Sequence, residues 1–239
     1  MLLRLLRPLW APKAGFRDLA AEAPGPGLNL GRSFGWMMAA ALPWWIASAW
    51  FGTRQALFDY EAFRGGRGGM WDTLLRYSPN LSRADLQQVL SAWPAAPTWA
   101  HAAPWVPLLA ALGLLGAWLH DGAWDHAGLW LLRGLKPEKA GRVKATLAAE
   151  AQAQAVGWIG TALGLLAFLP GSRGWMDLVL FPLTAWLWLL RGWALAAHHG
   201  CPAWKGVMAT LLHLVLFGLF LVVCLVLPLL LMAPLLAGG

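Results

Sequence analysis

The chain has 239 residues, of which 59% are hydrophobic and only 12% charged, with a formal net charge of +7. Soluble domains carry about 25% charged residues, so this chain lacks the polar groups to cover a globular surface and reads as a membrane protein. Its basic residues are scattered through loops, which points to anionic lipid headgroups as counter-charge and argues against nucleic acid as a partner.

The opening stretch, "MLLRLLRPLWAPKA", is interrupted by Arg4 and Arg7 and so has no signal-peptide core. As a helix it places both arginines on one face, with Leu2, Leu5, Leu6 and Leu9 around the rest. That suits a segment lying in the membrane interface; a frayed basic terminus is the other reading. Residues 1–34 are expected to form a cytoplasmic amphipathic segment. Lipid-headgroup contacts are expected from Arg4, Arg7, Lys13 and Arg17, and later from Arg133 and Lys136.

Five apolar runs approach the roughly 20 residues that cross about 30 Å of hydrocarbon. The first is Gly35–Thr53, within region 35–58, where Pro43 predicts a kink. Residues 59–101 then read as an extramembrane loop. Inside it, "SRADLQQVL" predicts a short helix with Ser82 as N-cap and Asp85 at the third position. Residues 102–239 hold four further spans, Ala102–Leu119, Ala151–Leu169, Leu178–Ala197 and Gly206–Leu236; the last is long enough to require tilt or a kink at Pro228. The expected fold is an all-α polytopic helix bundle of about five transmembrane helices plus short interfacial ones. Many of the 18 Trp lie near the ends of these runs, as residues of the headgroup level do.

With the N-terminus inside, the inner segments hold twelve Lys and Arg against six outside, which favours a cytoplasmic N-terminus and an outer C-terminus. Cys201 and Cys224, about 35 Å apart along a helix, predict no disulfide. Gly157, Gly160 and Gly164 include a G-x-x-x-G, which permits close helix approach.

Polar chemistry is concentrated in few places. "HDGAWDH", His120–His126, has the pattern H-D-x-x-x-D-H. On a regular helix Asp121 and Asp125 share a face, while His120 and His126 project about 240° apart. The four groups therefore cannot close on one ion from a single helix, and no metal or cofactor is expected. The expectation is a solvated helix exit with local Asp–His pairing. His198 and His199 suit a helix C-terminus with Gly200 beyond it, and Arg191 a helix end from which it snorkels. No carboxylate falls at the midpoint of an expected span. The candidate polar site is Asp125, His126, His199 and His213, with His126 and His199 expected on the same membrane side. No nucleophile, base and orienting group form a triad, so the chain is expected not to be an enzyme; a metal-dependent membrane enzyme using H-D-x-x-x-D-H is the remote alternative.

Several stretches resemble the Yip family of multi-pass, Rab-interacting membrane proteins. "HAGLWLLRGLKPEKAGRVKATLAAEAQAQAVG" is similar to the family's stretch between second and third spans. "FLPGSRGWMDLVLFPLTAWLWLLRGWALAAHHGCPAWKGVMATLLHLV" resembles the half that follows, and "LWAPKAGFRDLAAEAPGPG" the opening segment. The resemblance implies a five-span bundle with a cytoplasmic N-terminus. It singles out His126. The long polar N-terminal region and the Asp-Leu-Tyr-Gly-Pro-like motif of eukaryotic members are absent from the sequence, so Rab binding is not carried over. Richness in Ala, Leu, Arg and Trp looks like a bacterial inner-membrane protein, with the C-terminus periplasmic. The leading expectation is a non-enzymatic membrane-organising or partner-binding scaffold, in contact with the lipid bilayer and with another membrane protein or a second copy. The alternative is a small-solute or ion permeation protein using the His/Asp cluster.

Overall fold

The computed structural model describes residues 6–21, 28–67, 73, 75–77, 82–139, 141–169 and 173–237. Arg4 lies outside them. The described residues contain helices and turns and no strand. The helices are α1 (Pro12–Ala21), α2 (Leu28–Arg64), α3 (Arg83–Ser91), α4 (Trp99–Ala102), α5 (Val106–Leu131), α6 (Arg142–Gly164), α7 (Arg173–His199) and α8 (Ala203–Ala237). Three stretches among the described residues are long and apolar enough to cross a membrane: Trp99–Leu131, Leu178–His199 and Ala203–Cys224. The chain forms two compact units, residues 45–113 and the remainder.

In the larger unit α7 is the hub, packed against α1, α6 and α8. The core joins Phe16 and Leu19 of α1, Leu129 of α5, Ala149 and Val156 of α6, Leu190, Ala194 and Leu195 of α7, and Ala209 of α8. α8 buries Gly206, Ala209, Thr210 and His213, the spacing of one helical face. Its other faces expose Leu211, Leu214, Val215, Leu219 and Phe220. A helix apolar on its exposed side as well as its buried side fits lipid as the surrounding solvent.

Backbones approach most closely where α7 meets α8. A Cβ on Gly206 would lie 2.0 Å from the Gly192 carbonyl oxygen, and one on Gly192 2.6 Å from the Val207 Cα. Gly128 of α5 meets Ala209 in the same way, at 2.8 Å from its carbonyl oxygen. Of the three glycines in the α6 motif, Gly160 faces Leu187 at 2.7 Å, whereas Gly157 and Gly164 face open space.

α2 runs unbroken through Pro43 for 37 residues. Its buried Ser33, Met37 and Ala41 repeat every fourth residue and belong to the larger unit. There Ser33 accepts a hydrogen bond from Gln152 at 3.0 Å, and Trp44 stacks on Trp158 at 5.4 Å.

In the smaller unit the segment expected as loop is helical up to Arg64. Tyr60 and Arg64 donate to the Pro94 and Trp93 carbonyls at 2.8 and 3.0 Å, and the Ala96 amide donates to Glu61 at 2.6 Å. Trp50 meets Trp99 edge to face. α3 begins with a capping box between Ser82 and Asp85. The hydroxyl and then the backbone N–H of Ser82 donate to the Asp85 carboxylate and hold its pKa below the ordinary 3.8.

Two predictions follow from this packing. Gly206→Val forces apart the α7 and α8 backbones and destabilises the folded protein by about 3 kcal/mol or more, read as a fall in thermal transition in detergent. For the cap, a depressed carboxyl contributes stability above its unfolded pKa and loses it as pH falls through the folded value. The protection of the Asp85 amide, read by hydrogen exchange and corrected for intrinsic rate, is flat above pH 3.8 and falls below it; Asp85→Asn removes the pH dependence.

Candidate functional site: a buried ionic cluster on α5, α6, α7 and α8

The apolar run preceding His120 ends at Leu119, but the helix does not. Residues 119–131 contain no proline, and α5 continues to Leu131. It closes with a left-handed residue, Arg133 (φ 51°), and a Gly134 amide that returns to the Leu129 carbonyl at 2.8 Å. The expected solvated exit is therefore corrected: H-D-x-x-x-D-H lies inside the helical stretch Trp99–Leu131. Gly122 does not break it; its missing side chain makes room for Leu147, whose Cδ2 would sit 2.7 Å from a Cβ.

Asp121 and Asp125 occupy one face, as the i,i+4 spacing requires. Arg191 of α7 faces both. Its Nε donates to Asp125 Oδ2 at 2.7 Å, and its Nη1 stands 3.0 Å from Asp121 Oδ2. Arg191 is 9% exposed, so its expected snorkelling to a helix end is also corrected: three carboxylates hold it inside. The third is Glu150 of α6, whose Oε2 lies 3.0 Å from Arg191 Nε. That nitrogen has one hydrogen, and Asp125 takes it. Neither Glu150 oxygen has a hydrogen bond, although the residue is fully buried. His213 of α8 completes the cluster, with Nδ1 2.9 Å from Asp125 Oδ1 and 3.0 Å from Arg191 Nη2. Gln154 donates to Asp121 Oδ2 at 3.1 Å.

The buried place of Asp121 and Asp125, near the end of Trp99–Leu131, has a physical reason. Hydropathy scores each residue by itself, whereas Asp121 and Asp125 are compensated from another helix. With all three carboxyls ionised, one guanidinium leaves two negative charges without counter-charge.

A second group of polar residues gathers around His126, about 100° round α5 from Asp125. His126 Nδ1 and His199 Nε2 meet the same hydroxyl, Thr146 Oγ1, at 2.8 and 3.0 Å, with the ring centroids 6.4 Å apart. His199 Nδ1 accepts from the Lys136 amide at 3.3 Å, so its Nε2 carries the proton and donates to Thr146. His198 bonds Gln152 Oε1 at 3.0 Å. Thus Asp125 and His213 are brought together, and His126 and His199 are brought together through Thr146. The two pairs form separate networks. Arg191, Glu150, Thr146 and Asp121 were missing from the expected set; the i,i+4 pair of aspartates and a lone arginine in an apolar run were the available signals.

The expected headgroup contacts are dispersed. Arg7 pairs with Asp18. Lys13 and Arg17 border a cavity of about 280 Å³ with Trp193, Ala197 and Cys201. The Lys136 carbonyl accepts from Arg142 Nε at 2.7 Å, and the Arg133 carbonyl accepts from Lys205 at 3.1 Å. Cys201 and Cys224 are both free thiols.

Comparison with protein-family models, curated proteins and solved structures found no match to this chain.

Removing one partner of a buried ion cluster strands the others. Arg191→Leu is expected to destabilise the protein by about 3–5 kcal/mol, whereas Arg191→Lys, which keeps the charge but not the fork, loses less. Denaturant titration in mixed micelles, followed by Trp fluorescence, reads both.

Proposed function

We propose that this chain is an integral membrane protein of the permeation class, which holds a cation at the buried cluster of Asp121, Asp125, Glu150, Arg191 and His213. The observation that carries the reading is Glu150, fully buried and without a hydrogen bond, beside two aspartates that already use the single guanidinium. Ionisable groups inside membrane helices are costly and tend to line ion or substrate paths. A scaffold that only binds partners has no need of uncompensated carboxyls, so the site favours permeation over the membrane-organising role that the Yip resemblance suggests.

In this reading the chain crosses a bacterial inner membrane five times. The segments Gly35–Thr53 of α2 and Ala151–Leu169, which begins within α6, supply the two spans beyond the three apolar stretches. Neither contains a charged residue, which supports them. The excess of Lys and Arg in the segments read as inner supports a cytoplasmic N-terminus and a periplasmic C-terminus.

Purified chain in proteoliposomes is expected to conduct cations, with Glu150→Gln and Asp125→Asn each lowering flux at least about tenfold, the scale of a lost ion–carboxylate contact. Absence of flux, or unchanged flux in both variants, removes the permeation reading and returns the scaffold to first place.

A further inference from the structure

His120, Asp121 and His213 bring one ligand atom each to within 4.8 Å of one another, from α5 and α8. The sequence pattern alone cannot build such a site, because His120 and His126 diverge around their helix. The structure replaces His126 with His213 from a different helix. The rings of His120 and His213 lie 5.1 Å apart, walled by Trp124 and Phe217.

His213 has one nitrogen held by a carboxylate outside the ligand set. His213 Nδ1 lies 2.9 Å from Asp125 Oδ1, with Arg191 Nη2 3.0 Å from the same nitrogen. A neutral imidazole whose Nδ1–H is donated keeps its lone pair on Nε2. This is how metal-ligating histidines are oriented, by a carboxylate on the nitrogen away from the ion. His120 Nδ1 and Asp121 Oδ1 stand 3.3 Å apart, close enough to be neighbouring ligands of one ion. Asp121 is asymmetric in the same sense. Its Oδ2 is occupied by Arg191 and Gln154, at 3.0 and 3.1 Å, whereas Oδ1 has only the longer contact to His120.

Charge points the same way. With Asp121, Asp125 and Glu150 all ionised, the carboxylates exceed Arg191 by two negative charges, a difference that one divalent cation closes. Two imidazoles and one carboxylate suit a borderline-soft ion such as Zn²⁺ and leave a fourth position open. Reaching bond lengths of about 2.0–2.2 Å requires the side chains to close in by roughly an ångström.

We infer that His120, Asp121 and His213 form a divalent transition-metal site, with Asp125 orienting His213. This inference rests on the cation reading above and names the class of cation.

The test uses the full chain in detergent, stripped with chelator and then loaded with Zn²⁺ or Co²⁺ and desalted. The expected result is one ion per chain, with the visible absorption of tetrahedral cobalt. His120→Ala and His213→Gln are expected to weaken binding at least about tenfold, as lost ligands do. His101→Ala, in the smaller unit, retains it. A size-exclusion profile matching wild type shows that each variant is folded; where His213→Gln fails, His120→Ala decides, because its side chain is 38% exposed at the cluster's edge. Metal far below stoichiometric in wild type, or wild-type binding by folded His120→Ala, overturns the inference. The two readings fail separately. Cation flux that depends on Glu150 with no transition metal bound overturns the metal site alone. A stoichiometric metal without flux supports the metal site and overturns permeation.

Discussion

A single guanidinium, Arg191, sets the arrangement of the larger unit. It sits in the interior of α7 and engages carboxylates from α5 and α6 at 2.7–3.0 Å, while His213 of α8 meets it at 3.0 Å. Four helices are thereby tied to one point. Buried in the protein, these groups have little water to fall back on, so each depends on the others for solvation. The apolar packing is arranged to permit the meeting. Gly192 lies next to Arg191, and Gly128 is three residues beyond Asp125; both are places where a Cβ would strike the α8 backbone. Small residues bring the backbones together, and the ionic groups then reach across.

The same geometry separates two kinds of polar network. The His126–Thr146–His199 group is neutral and has donors and acceptors that match: a hydroxyl between two imidazoles, and a backbone amide closing the far nitrogen. It also ties the turn after α5 to the ends of α6 and α7, which suits a structural joint. The Arg191 group is charged and mismatched, with Glu150 lacking any hydrogen bond. Satisfied networks rigidify a core, whereas an unsatisfied buried carboxyl invites a proton or a cation. That contrast is why the functional reading rests on the second group.

The helical class, the membrane character, the capping box at Ser82 and the glycine after His199 were legible in the sequence, because each depends on local pattern. The angular reading of H-D-x-x-x-D-H was also sound: Asp121 and Asp125 do share a face, and His120 and His126 do diverge. What local pattern could not reveal was the partner across the helix boundary. Arg191, read by itself, looked like a cation seeking the surface. Asp125, read by itself, looked like a residue that ends a span. Each is stable inside only because of the other, and they are 66 positions apart in sequence. The close glycines were missed for the same reason. G-x-x-x-G spacing marks α6, but Gly128, Gly192 and Gly206 make the tight crossings because of what stands opposite them.

The central claim is that the cluster carries negative charge which a cation completes. Its most direct measure is the shift of the thermal transition with cation concentration in detergent, compared between wild type and Glu150→Gln. A ligand that binds only the folded state stabilises it by about 2.7 kcal/mol at a hundredfold excess over its Kd. The account predicts a saturable rise in the wild-type transition and a much smaller one in Glu150→Gln. Equal shifts in the two proteins, or no shift in wild type with any cation, would contradict it.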